Sequence, residues 1–484
     1  MTLSPDRTSL PPGVAWVSPP ARIADPASRR VLLFTTTYPP RAAVGAARWE
    51  SFTSYLRDAG WAVDVVMEQP ARGEAVDRDR FSRLPPGGRI VAIEQTNPLW
   101  HRLLIRARAR FRRTERGEVH AVDAYSPKRG RALPGLRPLV DAAVHASRAR
   151  SGARRMERAA TALVALPPQV VVSSGPPHYV HVSAARVAAR LRVPHVVDLR
   201  DPWGGHAGPS WSRLLFMDRE LQRAEHSTLQ RAALVITNTP AAERVLAERY
   251  PRLRDRICCI PNGSDLDPEE PSTHARPTCF RIAHCGSLYL DRDPRPFFRA
   301  VGRVRERLGL GEHDLRVTFM GPAAQVDGRP IAQLAAEAGL AGLFEERPPG
   351  PRDAARQLLR ESSMAVAFQG ETRTQVPAKI FEYVAFPVWV LALVGAESAT
   401  ADILAGTDAI VLDLDDEAGA ERAIEACYRK FREGETARPA GWDGRFSRAR
   451  QAERLIAALE RIARDPSARS DAASAAQSLT RSSA

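Results

Sequence analysis

This chain of 484 residues lacks several sequence features that directly identify the class of a protein. No run of about 18 or more consecutive apolar residues occurs, so a transmembrane helix is not predicted, and the N-terminus lacks the basic-then-apolar pattern of a signal peptide. The five cysteines include no C-x-x-C, which argues against a zinc site and a disulfide framework. We therefore expect a cytoplasmic protein with reduced cysteines.

Positive charge, by contrast, is concentrated in one segment. Residues 101–160 contain 16 lysines and arginines against 5 acidic residues, which gives +11 of the net charge of +14. Apolar residues are interleaved with the first of these arginines: Trp100, Leu103, Leu104, Ile105 and Phe111. Such a segment suits an anionic membrane surface, although a nucleic-acid contact and a solvated insertion are also consistent with it.

The remaining chain is organised as repeated strand, loop and helix units. A Pro- and Ser-rich lead, residues 1–29, has no periodicity and is expected to be disordered. Val31–Thr35 then predicts a buried strand, followed by a loop with Gly45, a helical pattern from Trp49 and a second strand at Trp61–Val66. This order is typical of a Rossmann-like βαβ unit. Because the loop lacks G-x-G-x-x-G, a dinucleotide cofactor is not expected.

Polar residues follow two later strands of the first half. His178 lies in the loop after the strand VVVSS, and Asp198 and Asp201 lie at the end of the strand HVVDL. In open α/β sheets, ligands bind outside the carboxyl ends of the strands. These three residues are therefore candidate site residues, although the two acids could equally pair with Arg200.

A second set of units begins near residue 280. Gly286 and Ser287 follow its first strand, and Arg292 comes shortly after them. Glycine at such a turn lets the backbone approach a phosphate closely, and an arginine can reach the same phosphate. Gly321 follows the strand Arg316–Met320, and we expect it near the same ligand.

The most informative stretch is 376–385, with the sequence VPAKIFEYVA. Pro377 suits the first turn of a helix, and a helix over residues 378–385 would carry Lys379 and Glu382 on one face. A lysine suits phosphate groups, and a carboxylate suits sugar hydroxyls. A surface ion pair on an amphipathic helix is the alternative interpretation. The apolar run 388–394 that follows predicts a buried parallel strand.

This stretch resembles the donor loop of GT-B glycosyltransferases of family 4 ("group 1"). Three further strings support the resemblance: DLRDPW at 198–203, IPNGSD at 260–265, and GSLYLDRDP at 286–294. In this family the first loop also lines the site, which adds Gly45 and Arg48. The resemblance covers residues 30 to 460.

The resemblance implies an α/β fold of the GT-B type, with two Rossmann-like domains whose parallel sheets face a central cleft. The chain would then divide into a disordered lead (1–29), an N-terminal acceptor domain (30–267) with the basic insertion (about 100–160), a linker (268–279), a C-terminal nucleotide-sugar domain (280–441), a helix crossing back (442–463) and a disordered tail (464–484).

The resemblance also implies roles for individual residues. Donor binding falls to Gly286, Ser287, Arg292, Gly321, Lys379, Ile380 and Glu382, with Glu382 on the ribose. Catalytic roles fall to Asp201, Arg292 and Lys379. The acceptor side comprises Gly45, Arg48, His178, Asp198 and Asp201. No metal or cofactor is expected, because Arg292 and Lys379 would neutralise the diphosphate of a nucleotide-sugar donor.

One departure from the family pattern leaves alternatives open. Thr374 stands eight residues before Glu382, where family 4 commonly has a first glutamate, and Glu371 is out of register. The resemblance favours a retaining transferase acting on a cell-envelope, polysaccharide or lipid-linked glycan, with an anionic membrane surface as a partner of segment 102–158. A nucleotide-sugar epimerase and a non-catalytic glycosyltransferase-like protein are the alternatives. Nucleic acid is the least favoured partner.

Overall fold

Parallel strands dominate the part of the chain that the structure describes. This structure, a computed structural model, describes residues 14–17, 29–43, 45–71, 73–74, 76–82, 84, 88–94, 137–163, 167–203, 215–270, 277–288, 292–322, 325–370, 373–441 and 444–465. The chain divides into two units. The first unit comprises residues 1–261 and 451–484, and the second comprises residues 262–450.

The first unit is built on a sheet whose described strands lie in the order β1-β4-β3-β2-β5-β6-β7-β8. These strands are β1 (Val14–Val17), β2 (Arg29–Thr35), β3 (Trp61–Glu68), β4 (Ile90–Ile93), β5 (Val170–Gly175), β6 (His195–Leu199), β7 (Leu234–Thr237) and β8 (Ile257–Cys259). The helices are α1 (Ala46–Asp58), α2 (Arg78–Ser82), α3 (Arg137–Leu163), α4 (Tyr179–Leu191), α5 (Leu215–Gln230) and α6 (Pro240–Arg249). All neighbouring strands are parallel except β1 and β4.

The second unit has a parallel sheet in the order β13-β10-β9-β14-β15-β16 and a short hairpin, β11-β12. The strands are β9 (Phe280–Cys285), β10 (Leu315–Met320), β11 (Gln325–Val326), β12 (Arg329–Pro330), β13 (Phe344–Arg347), β14 (Met364–Phe368), β15 (Trp389–Leu393) and β16 (Ile410–Leu412). The helices are α7 (Arg295–Leu308), α8 (Ile331–Ala335), α9 (Arg352–Arg360), α10 (Ala378–Tyr383), α11 (Ala399–Leu404) and α12 (Glu417–Arg432). The last helix of the chain is α13 (Arg448–Arg464).

Strand β2 shows how the first sheet is covered on both faces. Its side chains alternate, so Val31 and Leu33 pack with Trp49 of α1, whereas Leu32 and Phe34 pack on the opposite face. The C-terminal helix α13 contributes to the α1 face through Ala452, Leu455, Leu459 and Ile462. A strand buried on both faces is a nearly continuous apolar run, which is why β2 was readable from the sequence.

Each sheet reverses its strand order at one point. In the first sheet the reversal lies between β2 and β5, and in the second it lies between β9 and β14. In doubly wound sheets, ligands bind outside the carboxyl ends of the strands at this reversal. The loops after β2, β5, β9 and β14 are therefore the places to look for a functional site.

The N-terminal lead requires a correction. Val14–Val17 is a strand that pairs antiparallel with β4, and Val14 is buried. A strand of four residues is too short to show a period, and its formation depends on pairing with residues far along the chain. The rest of the predicted lead lies outside the described residues, apart from Arg29, which already belongs to β2.

The second half of the predicted basic insertion belongs to the fold of the first unit. Residues 137–163 form the long helix α3, whose Met156, Ala159 and Ala160 are buried against the first sheet. This helix is therefore part of the fold, and its Arg148, Arg150, Arg154 and Arg158 are exposed. Segment 95–136, which carries Trp100 and the basic stretch 102–116, lies outside the described residues.

Other predicted boundaries differ by a few residues. The first unit ends at Pro261, whereas the predicted N-terminal domain ends at 267, and α13 begins at Arg448 instead of 442. Trp442, residues 271–276 of the predicted linker and the tail 466–484 lie outside the described residues. Within the described ranges, no helix has the length and hydropathy needed to span a membrane.

Candidate functional site

Two glycines build the turn that follows β9. Gly286 has a φ of +125°, a backbone conformation that L-residues rarely adopt. A Cβ placed on Gly321 would lie 2.3 Å from the carbonyl oxygen of Gly286. Only glycine therefore lets the ends of β9 and β10 approach this closely, and the N–H of Gly286 donates to the carbonyl of Met320 at 2.7 Å.

Side chains from separate segments meet at this turn. A Cβ on Gly286 would lie 3.1 Å from Nζ of Lys379, so the amine lies against the turn backbone. Arg292 donates to the carbonyl of Ser287 at 3.4 Å. The structure thus brings Gly286, Ser287, Arg292, Gly321 and Lys379 together, as expected if they contact one ligand.

The environment of Lys379 is poorly solvated. Burial, together with the positive charge of Arg292, lowers the pKa of the Lys379 amine to about 7. Its Nζ lies 3.0 Å from Nε2 of His284, which is fully buried. An anion at the Gly286 turn would relieve the unfavourable charge of this amine.

Helix α10 is held against the end of β9 by a hydrogen bond and by buried side chains. The Tyr383 hydroxyl oxygen accepts a hydrogen bond from the backbone N–H of Cys285 at 2.7 Å. Ile380 and Phe381 are buried, and the N–H of Ile380 donates to the carbonyl of Pro377 at 3.0 Å. The side chain of Ile380 therefore supports the loop and does not face a ligand. The helix ends at Tyr383, two residues earlier than predicted.

Glu382 lies one turn after Lys379 and remains partly exposed. Its Oε1 is 3.6 Å from Nη2 of Arg352, the first residue of α9, and its side chain is 25% exposed. This exposure leaves the carboxylate accessible to a hydroxyl group. Thr374, eight residues earlier, lies in a turn, and Glu371 lies outside the described residues.

In the first unit, Asp198 and Arg48 form a buried ion pair. Asp198 is 0% exposed and accepts hydrogen bonds from Nη2 of Arg48 at 2.9 Å, Nε1 of Trp49 at 2.7 Å and Oγ of Ser174 at 2.8 Å. Burial alone would raise the pKa of Asp198, but the Arg48 charge and these bonds outweigh it and lower the pKa. The buried ion pair therefore serves as a structural anchor at the carboxyl ends of β5 and β6.

Arg200 explains why position 45 is glycine. Its Nη1 donates to the carbonyl of Gly45 at 2.9 Å, and a Cβ on Gly45 would lie 2.2 Å from that same nitrogen. Nε and Nη2 donate to the carbonyls of Gly175 and Pro176. Arg200 thus joins the loops after β2 and β5. The ion-pair partner of Asp198 is Arg48, although the charges of Asp198 and Asp201 also act on Arg200.

His178 packs in an aromatic stack. Its ring lies 5.1 Å from the ring of Trp203 and 5.7 Å from that of His181. His181 is fully buried, and its Nδ1 lies 2.8 Å from Oγ of Ser173. Asp201 is half-buried two residues before Trp203, and its charge acts on Arg200. Among the first-unit candidates with a side chain, His178 and Asp201 are partly accessible, whereas Arg48 and Asp198 are buried.

Sequence reasoning missed two residues that touch the second-unit cluster. His284 contacts Lys379, and Arg352 contacts Glu382. His284 follows the apolar pair Ile282 and Ala283 in β9, two positions before the glycine turn, and this change to a polar residue was the available signal. Arg352 carries no comparable signal, because its approach to Glu382 depends on the packing of α9.

Comparisons with known proteins agree with this architecture. Residues 45–263 match the family model described as "Glycosyl transferase 4-like domain". A D-inositol 3-phosphate glycosyltransferase from Paenarthrobacter aurescens (strain TC1) is 30% identical over 139 residues. That match covers 27% of this chain, and the chain spans about a third (34%) of the length of this curated relative.

Solved structures resemble the chain over most of its length at low identity. A glycosyltransferase from Rickettsia africae ESF-5 has a TM-score of 0.54 at 11% identity, covering 90% of this chain and 99% of that chain. Anabaena HepE, in complex with UDP and glucose, has a TM-score of 0.52 at 13% identity, with coverage of 93% and 98%. A Burkholderia xenovorans trehalose-phosphate synthase, in complex with glucose-6-phosphate, has a TM-score of 0.52 at 12% identity, with coverage of 89% and 100%.

The solved structures bear on the fold, and the match to the family model bears on residues 45–263. The solved neighbours are GT-B glycosyltransferases, and their parallel-sheet architecture is that of this chain. The sequence match is carried by residues 45–263, which include Gly45, Arg48, His178, Asp198 and Asp201. The chain therefore has an α/β fold of the GT-B type and resembles the glycosyltransferases of family 4.

Proposed function

We propose that the chain transfers a glycosyl group from a nucleotide-diphosphate sugar to a hydroxyl acceptor. The observation that carries the proposal is the cluster at the sheet reversal of the second unit, where the Lys379 amine, the Arg292 guanidinium and the exposed Gly286 turn meet. Two cations beside a glycine turn suit a diphosphate, because the backbone can approach its oxygens. The Anabaena neighbour that holds UDP and glucose supports the same donor class.

Each residue of the cluster would act on one part of the donor. Arg292 and Lys379 would stabilise the negative charge that develops on the departing diphosphate, so no metal ion would be required. Glu382, one turn further on, would accept hydrogen bonds from the ribose hydroxyls. Gly286, Ser287 and Gly321 would supply backbone contacts, and Ile380 would hold the loop in place from the core.

The transfer step would retain the anomeric configuration. The bond between the sugar C1 and the diphosphate oxygen breaks, and the acceptor oxygen forms a new bond to C1 on the same face. The acceptor proton passes to the departing diphosphate. In the first unit, Asp201 and His178 are the partly accessible candidates for positioning the acceptor, whereas Asp198, Arg48 and Gly45 would shape the loops behind them.

Product analysis tests this proposal and separates it from its alternatives. The purified chain is incubated with UDP-, GDP-, ADP- and TDP-sugars and a cell-envelope extract, and the products are followed by mass spectrometry. Transfer predicts free nucleoside diphosphate together with an acceptor heavier by one sugar residue. An epimerase would instead convert the donor to an isomer without consuming an acceptor, and a non-catalytic protein would bind the donor and leave it unchanged.

The exposed arginines of α3 support a membrane-bound acceptor and a peripheral location. Arg150, Arg154 and Arg158 are four residues apart and exposed, so they form one stripe along the helix. Near anionic headgroups each basic residue contributes about 1 kcal/mol. We propose that this stripe, with segment 102–116, contacts the anionic inner face of the plasma membrane.

Vesicle co-sedimentation tests the membrane contact. The triple change of Arg150, Arg154 and Arg158 to glutamine should weaken binding to phosphatidylserine vesicles by roughly tenfold to a hundredfold. A matched control changes three exposed arginines elsewhere, Arg252, Arg254 and Arg422. Equal binding to neutral and anionic vesicles, or equal losses in the two triple variants, would contradict the proposal.

A further inference from the structure

His284 makes hydrogen-bonding contacts through both of its ring nitrogens. It is fully buried in β9, between the rings of Phe319 and Phe368 at 5.0 and 5.1 Å. Its Nδ1 lies 2.9 Å from the carbonyl oxygen of Val366. A carbonyl can only accept, so Nδ1 carries the proton. Burial, reinforced by the Lys379 charge, holds the pKa of His284 well below its usual range, so the ring is neutral and Nε2 carries a lone pair.

That lone pair accepts a hydrogen bond from Lys379. Nζ lies 3.0 Å from Nε2 of His284 and against the backbone of Gly286. The imidazole therefore aims the amine at the glycine turn while supplying no negative charge. A lysine held by a neutral acceptor differs from one held by a carboxylate, because its own charge remains uncompensated.

The other groups around Lys379 do not compensate its charge either. Arg292 adds a second positive charge. Burial raises the pKa of the Cys285 thiol to about 11 and that of the Tyr383 hydroxyl well above its usual value, so both are neutral. Glu382, on the same helix, is the nearby carboxylate, and it pairs with Arg352. Among the described residues, Lys379 forms no ion pair with an acid.

We propose that His284 is a positioning residue that holds the Lys379 amine, only partly protonated near neutral pH, facing the Gly286 turn, and that Lys379 becomes fully protonated when a diphosphate binds there. This inference rests on the proposed function, because it takes the diphosphate of the donor as the missing counter-charge. Binding at this site is then coupled to pH through one lysine.

The size of the coupling follows from the pKa of about 7. If binding restores an ordinary lysine pKa of about 10.4, the site takes up about 0.9 proton at pH 8 and about 0.1 proton at pH 6. Affinity should therefore fall by about fivefold between pH 7 and pH 8 and by about ninefold between pH 8 and pH 9. A lysine that is already charged would show no such dependence below pH 9.

The first arm of the test needs no ligand. Competitive acetylation of the unliganded protein across pH 5–11, with peptide mass spectrometry, gives the titration midpoint of Lys379. We expect a midpoint near 7, and a lower one in His284→Phe, because phenylalanine keeps the ring volume but removes the acceptor. His284→Gln should return the midpoint toward the wild type, and His313→Gln, an exposed control, should not change it. A midpoint near 10, or one unaffected by His284→Phe, would overturn the proposal.

The second arm is titration calorimetry with UDP, GDP, ADP and TDP in buffers of different ionisation enthalpy at pH 6 and pH 8. For the nucleotide that binds, the buffer dependence should report about 0.9 proton at pH 8, and this uptake should vanish in Lys379→Met. His284→Phe should weaken binding roughly fivefold, with unchanged thermal stability. Binding without proton uptake would overturn this inference and leave the donor site intact. Absence of binding by any nucleotide would overturn the proposed function, and the acetylation arm would still decide the role of His284.

Discussion

The substitution Asp198→Asn separates structural from catalytic acids in the first unit. The side chain of Asp198 is completely buried, and that of its partner Arg48 is 5% exposed. Removing one member of a buried ion pair costs roughly 3–5 kcal/mol, because the remaining charge stays buried and uncompensated. Asparagine keeps the volume and one acceptor oxygen, and Arg48 keeps the carbonyls of Ile260 and Pro261 at 2.9 Å. We therefore expect the lower end of this range, about 3 kcal/mol.

Hydrogen exchange with mass spectrometry is the assay, since it reports the opening free energy of the first unit separately from that of the second. Peptides covering β2, β5 and β6 should lose about 3 kcal/mol of protection in Asp198→Asn. The matched change Asp201→Asn, at a half-buried position, should cost under about 0.5 kcal/mol and reduce transfer instead. A stable Asp198→Asn variant that has lost only its activity would refute the assignment of Asp198 as a structural anchor.

Three further predictions follow from single contacts. Burial lowers the pKa of His195 to about 3. Because this group is protonated only in the unfolded chain between pH 6.5 and pH 3, its contribution to the free energy of unfolding should fall by about 2 kcal/mol from pH 7 to pH 5, and His195→Gln should reduce the overall loss in urea titrations by that amount. Gly321→Ala would place a Cβ 2.3 Å from a backbone oxygen and should weaken nucleotide binding at least tenfold, whereas Gly395→Ala, with open space around it, should bind normally. Glu421→Gln, in the exposed ion-pair row between α7 and α12, should cost at most about 1 kcal/mol, and this cost should shrink in 1 M salt.

The sequence was most informative where a residue's neighbours are close in the chain or where burial is complete. The strands β2 and β15 were predicted because each is a nearly continuous apolar run. The glycine turns and the loop before Lys379 were predicted because glycine and proline favour backbone conformations that other residue types adopt less readily.

The sequence was least informative where the outcome depends on distant partners. Strand β1 forms only because β4 offers an edge. Arg48 was placed at the acceptor side by the resemblance alone, and no local pattern indicates that it reaches Asp198, 150 positions along the chain. Likewise the pairing of Glu382 with Arg352 follows from the packing of α9, which no local pattern encodes.

The nucleotide-sugar site of the second unit is the central claim, and a thermal-shift panel tests it most directly. UDP, GDP, ADP, TDP and their common sugar conjugates are compared on the wild type, on Glu382→Ala and on Glu433→Ala, which removes an exposed glutamate of similar type. The account predicts that one nucleotide family raises the melting temperature of the wild type and of Glu433→Ala but not that of Glu382→Ala. Equal stabilisation of all three proteins, or of none, would contradict it.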